Sequence, residues 1–412
     1  MSRELRMLTF TSLYPSEARP RHGIFVESRL RRLVARGGVA VRVVAPVPWF
    51  PLTGERWGEY GRMAATPRRE ERSGIEVRHP RYPMLPKIGM ALQPNAMARA
   101  GLREVASLLR HDGEIDLIDA HYLYPDGVAA AAIARKIRRP LMLTARGTDV
   151  NVIAQMPGPR ARILRAIEAS AGVIAVSAAL KATLVGLGAA AERITVLRNG
   201  VDAELFQPED RAAARRELGL PDADARIVVS VGNLVPGKRN DLALRAVAQI
   251  EDAHLVFVGR GSERARLERL ASELQVASRV RFLEEMPQER LRFVYSAADV
   301  LVLASEREGW PNVLLESAAC GTPVVAFNVG GVPEILADRV VGTIVRGGHA
   351  PGPLADAIRT MLASPPAREA VRAAAIHFSW DPVLDAQLAL YRRVAQAGRA
   401  TLATATTPVI QA

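Results

Sequence analysis

The chain has 412 residues, enough for about two to four domains of ordinary size. Its composition, 49% hydrophobic and 24% charged, excludes intrinsically disordered and fibrous classes and describes a globular protein able to bury a core. The net charge of +12 lies in the first part of the chain: residues 1–170 carry 28 basic and 16 acidic side chains, against 27 of each in residues 171–412, so an anionic partner such as lipid headgroups, nucleic acid or a phosphorylated substrate is expected there unless the charge only solvates the surface.

The opening segment MSRELRMLTFTSLYPSEARPRHG contains no apolar stretch long enough for a signal peptide. No run of about 18 apolar residues occurs further on, and the single cysteine, Cys320, excludes an internal disulfide. These features predict a cytoplasmic protein whose membrane contact, if any, is peripheral.

Residues 5–12 read as a buried strand, 23–38 as an amphipathic helix stopped by two glycines, and 39–46 as the next strand. This βαβ unit predicts a parallel sheet. The arginines of the helix, Arg29, Arg31, Arg32 and Arg36, are expected to face outward. Residues 47–95, rich in Pro, Trp and Arg, lack periodicity and read as a long loop excursion over the carboxyl edge of the sheet. Strands follow at 115–121, 141–145, 172–177 and 194–199. A polar stretch at 202–225 separates a second series of strands at 226–233, 253–261, 279–285, 299–305, 322–328 and 342–346, with helical segments between them. Two doubly wound halves in tandem are expected, with ligands at the carboxyl ends of the strands and in an interdomain cleft. A helix at 381–396 and an irregular tail from residue 399 end the chain.

The segment SEREGWPNVLLESAACGTPVVAFNVGGVPE, 305–334, carries the most chemistry. Glu308 and Glu316 stand eight residues apart. Pro311 sits where a helix begins, so Glu308 lies on a loop after a strand and Glu316 within the following helix. The backbone amides of Asn312, Val313 and Leu314 at that helix start suit a diphosphate. The carboxylates repel phosphate and suit hydroxyl groups of a sugar or ribose; the plain alternative is an acidic loop and a surface glutamate. Lys238 and Arg239, in the turn VGNLVPGKR (231–239) after a strand, suit phosphate charge.

This segment resembles the signature of the family 4 retaining glycosyltransferases of the GT-B fold, carried here by Glu308, Gly309, Glu316, Gly321, Pro323, Val324, Val325, Gly330, Gly331 and Glu334. The resemblance extends over nearly the whole chain. RNGVDAELFQP (198–208) is similar to the family's interdomain segment, VGNLVPGKR to its diphosphate loop, and FSWDPVLDAQLALYRRV to its C-terminal helix. It implies an α/β GT-B architecture with two Rossmann-like domains facing a cleft: an acceptor-binding domain at 1–200, a nucleotide-sugar-binding domain at 201–378, a helix at 379–398 returning toward the first domain, and a disordered tail at 399–412. Glu308 is implied to contact the donor hexose, Glu316 the ribose hydroxyls and Lys238 the diphosphate.

Two departures occur in the diphosphate loop. Asn233 stands where an arginine is common, and Arg239 replaces a glycine. TARGTDVN (144–151) resembles the family's T-x-H-G-x-D element, with Arg146 in the histidine position, so that Arg146, Gly147 and Asp149 are site candidates. An arginine cannot perform a histidine's proton transfer; its permanent charge suits a phosphate or an acidic sugar. The alternative is a capping Asp149 beside a surface arginine. His121, at a strand's carboxyl end, either orients an acceptor hydroxyl or is a satisfied structural histidine. Gly23 resembles the family's glycine loop near acceptor and diphosphate.

Asp222 and Asp224 form an Asp-x-Asp pair that reads as a solvated turn, so neither a metal nor any other cofactor is expected. The implied activity is retaining transfer of a hexose-type sugar from a nucleoside diphosphate sugar to a glycan or lipid-linked acceptor, in cell-envelope or exopolysaccharide synthesis. The implied partners are the donor, the acceptor and an anionic membrane surface on the inner face of the cell membrane, with no nucleic acid. A GT-B nucleotide-sugar epimerase and a non-catalytic two-lobed binding protein are the alternatives.

Overall fold

The computed structural model describes residues 3–84, 89–111, 113–221 and 224–406. The chain divides into two compact units: the first runs to Leu197 and resumes at Pro382, and the second is Arg198–Asp381.

The first unit is built on strands β1 (Leu5–Phe10), β2 (Val39–Val44), β3 (Val47–Pro48), β4 (Arg69–Arg72), β5 (Ile75–Arg78), β6 (Arg81–Tyr82), β7 (Leu117–His121), β8 (Leu141–Ala145), β9 (Gly172–Ala175) and β10 (Ile194–Val196). The main sheet runs β10-β9-β8-β7-β1-β2-β5-β4, and β3 pairs with β6 separately. All pairs of the main sheet are parallel except β4 with β5. Strands β7 and β8 are buried at every residue. Successive side chains point to opposite faces, so helices must cover both sides of the sheet. The strand order reverses between β1 and β7, which opens a crevice at their carboxyl ends.

Three expectations are corrected in this unit. The excursion at 47–95 contains two short strands, the β4/β5 hairpin and a helix, Gly58–Ala65. The sequence REER of β4 shows no alternation of apolar and polar residues because this strand is the sheet's solvated edge; Ile75 and Val77 of β5 are the buried ones. Arg29 does not face outward: it is fully buried, where its Nε donates to Gln387 Oε1 at 2.7 Å. It sits one position before Leu30 on the helix Ile24–Ala35, whose buried face includes Val26, Leu30 and Leu33, and Gln387 of the last helix supplies the acceptor that makes burial tolerable. Finally, that last helix runs from Trp380 to Thr406, through residues expected to be irregular, because Ala and Leu extend an established helix at little cost; residues 407–412 lie outside the described residues.

The second unit contains β11 (Arg226–Val231), β12 (Ala253–Val258), β13 (Val280–Leu283), β14 (Val300–Leu303), β15 (Val324–Phe327) and β16 (Gly342–Val345) in the order β13-β12-β11-β14-β15-β16. Every pair is parallel. Apolar residues of β11, β12, β14 and β15 join Leu242, Leu267, Leu354 and Ile358 of the flanking helices in one core. Here the order reverses between β11 and β14, and both expected donor-site loops leave the sheet at that point.

Candidate functional sites in the two units

At the β11/β14 reversal, two loops are fastened together. The amide of Glu306 donates to the Gly237 carbonyl at 3.1 Å, and Lys238 Nζ donates to Glu308 Oε1 at 2.6 Å across 70 residues of sequence. Lys238 is partly exposed, whereas Glu308 is only 10% exposed. The loop carrying Glu308 is held from the other side by the Gly330–Gly331 turn. Gly331 donates its amide to the Gly309 carbonyl at 3.2 Å. A Cβ on Gly330, whose φ is +51°, would lie 2.0 Å from the Glu308 carbonyl oxygen, so this approach requires glycine.

Glu316 lies on the helix Asn312–Ala319 and points inward, where it accepts a hydrogen bond from the Tyr295 hydroxyl at 2.7 Å. Burial pushes its carboxyl up to about 7, with the tyrosine bond working in the opposite direction. Glu316 is therefore neither a surface glutamate nor in hydrogen-bond contact with Glu308 or Lys238. At the helix start, the Leu314 amide donates to the Pro311 carbonyl at 3.1 Å. This corrects the expectation of three outward amides and leaves those of Asn312 and Val313, since the first amides of a helix have no intrahelical acceptor. The segment after residue 197 braces this end: Asn199 Nδ2 donates to Asn312 Oδ1 at 3.1 Å, Trp310 Nε1 to the Asn199 carbonyl at 3.0 Å, and Arg198 Nε to Glu334 at 2.7 Å.

Arg239, expected to suit phosphate charge, is paired with carboxylates in this structure. Its guanidinium is held by Asp241 at 3.1 and 3.3 Å and by Glu306 at 2.9 Å, and these hydrogen bonds, that with Asp241 foremost, raise its pKa. Asn233 is exposed in the same loop. Asp224 is exposed, and Asp222 lies outside the described residues. Cys320, after the helix, is buried, and burial pushes its thiol up to about 12.

In the first unit, the β1/β7 reversal is closed by Asp126, which accepts hydrogen bonds from the Ser12 amide and, at 3.1 Å, from the Ser12 hydroxyl. Burial raises this carboxyl to about 7 despite those bonds. Gly23 caps the helix Ile24–Ala35 with φ +74°, and a Cβ there would lie 2.3 Å from the Leu13 carbonyl group, so the loop after β1 folds directly over this position.

Asp149 is buried and is used structurally: it accepts from the backbone amides of Leu123 at 2.8 Å, Gly147 at 2.7 Å and Arg146 at 3.1 Å. His121 is likewise buried, and both ring nitrogens are engaged. Nε2 meets Asp119 Oδ2 at 2.8 Å and Nδ1 meets Nη2 of Arg146. Burial drives the imidazole pKa down to about 4, so the ring is neutral, with its proton on Nε2 facing the carboxylate. The open alternatives for His121 thus resolve toward a structural role: it holds Arg146 and keeps no nitrogen for an acceptor hydroxyl. Asp119 and Tyr295 were not singled out from sequence, and Arg29 was expected only at the surface. Asp119 had a signal, a carboxylate two residues before a histidine in an apolar strand, and therefore on the same face. Tyr295 lies 21 residues from Glu316 and had none.

Comparison with known proteins bears on the family and the fold. Residues 22–205 match the model described as Glycosyltransferase Family 4, and residues 210–378 the model described as Glycosyl transferases group 1. D-inositol 3-phosphate glycosyltransferase 1 of Catenulispora acidiphila is 34% identical over 88% of this chain and 92% of its own length. The D-inositol 3-phosphate glycosyltransferase of Mycobacterium leprae is 44% identical over 49% of each chain, so the match spans about half of that relative. Among solved structures, sucrose-phosphate synthase from Thermosynechococcus elongatus superposes with a TM-score of 0.77 at 23% identity, covering 96% of this chain and 100% of that one. Anabaena Alr3699/HepE in complex with UDP-glucose gives 0.65 at 21% identity, covering 97% and 99%. The fold of these neighbours is the same pair of Rossmann-like units.

Proposed function

Because this chain belongs to the family 4, group 1 glycosyltransferases of the GT-B fold, we propose that it transfers a hexose-type sugar from a nucleoside diphosphate sugar to an acceptor hydroxyl with retention of configuration and without a metal ion. The observation that carries the reading is the Lys238–Glu308 pair at the β11/β14 reversal. A cation and a carboxylate at one switch point match the two ends of a sugar diphosphate: Lys238 and the amides of Asn312 and Val313 face phosphate, and Glu308 faces sugar hydroxyls. Glu316, beneath them, is assigned to the ribose. The UDP and UDP-glucose complexes of the Anabaena neighbour support a nucleotide-sugar donor.

In the proposed reaction, the bond from the anomeric carbon to the diphosphate oxygen breaks while the acceptor oxygen bonds to that carbon on the same face. The acceptor proton passes to the leaving diphosphate. Charge developing on the diphosphate is met by Lys238 and the helix start, which supply the positive potential otherwise supplied by a metal. We assign the acceptor to a glycan or lipid-linked molecule of envelope or exopolysaccharide synthesis, reached at the inner face of an anionic membrane by the basic first part of the chain. The relatives named for D-inositol 3-phosphate favour a second reading, a small phosphorylated cyclitol acceptor.

Calorimetry with UDP, GDP and ADP identifies the base. For whichever nucleotide binds, Lys238→Ala should lose about 1.5 to 3 kcal/mol of affinity, the value of a charged hydrogen bond. Glu308→Ala should bind the nucleotide and lose turnover of the corresponding sugar donor. Both variants binding and turning over like the wild type would refute the site.

A further inference from the structure

A guanidinium carries five N–H donors and no acceptor. Arg146, at the carboxyl end of β8, commits Nη2 to the His121 imidazole. Its Nε and Nη1 are buried and have no hydrogen-bond partner among the described residues. Of the neighbouring carboxylates, Asp149 is held by three backbone amides, and Asp119 meets His121 through Oδ2 while its buried Oδ1 has no hydrogen-bond partner among the described residues and makes none with Arg146. Phe25 lies against the guanidinium, 5.2 Å from carbon to ring centroid, which shields one face and satisfies no donor. The pKa of Arg146 is lowered, first by burial and then by the positive charge of Arg29. Buried donors are nearly always satisfied in a folded protein, and two left open on one rigidly held cation are explained if their acceptor arrives with a substrate.

His121 makes this cation precise in position. Because its ring is fixed by Asp119 at 2.8 Å and presents Nδ1 as an acceptor, Arg146 is aimed before anything binds. A planar, permanently charged array of donors selects an oxyanion over a hydroxyl, since several lone pairs on one group can meet several N–H donors and the charge relieves the cost of burial.

We infer that Arg146 is a specificity-determining residue for a carboxylate or phosphate carried by a substrate of this protein. The inference rests on the glycosyltransferase reading for the identity of that substrate and on the geometry around Arg146 for its charge. The oxyanion comes either from a uronic acid on the donor sugar or from a phosphate on the acceptor, and the experiment separates them.

Affinities of the full-length protein are measured by calorimetry for two matched pairs, UDP-glucose against UDP-glucuronic acid, and inositol against inositol 3-phosphate with and without UDP. In one pair the wild type should prefer the anionic member by about tenfold or more, as expected for a charged hydrogen bond. Arg146→Gln and Arg146→His should abolish that ratio, and Arg146→Lys, which keeps the charge and loses the planar array, should retain part of it. Melting curves confirm that each variant is folded, and the lysine variant keeps the test readable if the others are not. Equal affinities within both pairs, or a ratio that survives in the folded Gln or His variant, overturns the inference. If UDP does not bind, the donor pair is the glucose and glucuronic acid esters of whichever of GDP or ADP binds, and the same two-pair criterion decides the role of Arg146.

Discussion

Glu316 joins a stability effect and the proposed ribose contact in one side chain. Its carboxyl is raised from 4.5 to about 7 by burial, so the folded state favours the protonated form. Stability from this group is fully present below about pH 4.5 and is lost as the pH rises through 7. Glu316→Gln keeps an acceptor for Tyr295 and removes the charge. It should raise stability by about 1 to 3 kcal/mol at pH 8, with the advantage shrinking toward zero near pH 4.5, while weakening nucleotide binding through the lost ribose partner. Thermal melts of wild type and variant across that range give the check, and a difference independent of pH would show that the carboxyl is not held at a raised pKa. Asp126, raised to about 7 in the other unit, has the same sign, so both units should lose stability from this source over the same pH interval.

At the level of elements, the site of the second unit is made by loops that leave its sheet where the strand order reverses, and glycines set how closely those loops approach. Gly330 is the clearest case, because its φ of +51° and the 2.0 Å approach of a would-be Cβ to the Glu308 carbonyl leave no room for a side chain. Gly330→Ala should displace the Glu308 loop, lowering kcat by an order of magnitude or more and lowering stability by about 1 kcal/mol or more. Nucleotide affinity, assigned in the proposed reaction to Lys238 and the helix start, should change much less. Turnover and nucleotide titration on the same preparation test this, and unchanged kcat would mean that Glu308 is not positioned by the turn. The helix Ile24–Ala35 makes a related point about charge. Of its arginines, Arg29 is buried and Arg31 is exposed, so a run of basic residues on a helix does not form a single basic face.

For the whole molecule, two predictions concern what the protein needs from its surroundings. Activity should persist after dialysis and in excess EDTA, because Lys238 and the helix start supply the positive charge at the diphosphate; loss of activity restored by Mg or Mn would overturn the metal-free mechanism. Among the described residues, no helix is long and apolar enough to cross a membrane, so the proposed membrane association rests on the surface. Exposed residues of the first unit include Arg31 and, in the segment after the second strand, Trp49, Leu52, Tyr60 and Trp57 with Arg56 over its ring, residue types suited to an anionic interface. Each basic side chain near such a surface contributes about 1 kcal/mol, and salt screens it beyond a Debye length of about 8 Å at physiological ionic strength. Cosedimentation with anionic liposomes should therefore exceed that with neutral ones at low salt, fall at high salt, and weaken in the Arg31→Gln, Arg56→Gln double variant. Equal binding to neutral and anionic vesicles, or none to either, would favour a soluble acceptor.

Strand positions, the parallel sheets and the placement of Glu308, Glu316 and Lys238 on loops and helix were legible in the sequence, because period-2 and period-3.6 apolar patterns and the residues that start and stop helices are local signals. The β4/β5 hairpin was not, since an edge strand solvated on both faces has no apolar alternation to read. Tertiary structure alone decided which groups meet. Lys238 reaches Glu308 because β11 and β14 are neighbours in the sheet, and the buried Glu316 meets the Tyr295 hydroxyl from another helix. Arg239 is paired with Glu306 and Asp241, which the sequence did not announce. Burial and hydrogen-bond partners arise from elements far apart in the chain, and they determine whether a charged residue binds a substrate, supports a loop or holds another side chain in place.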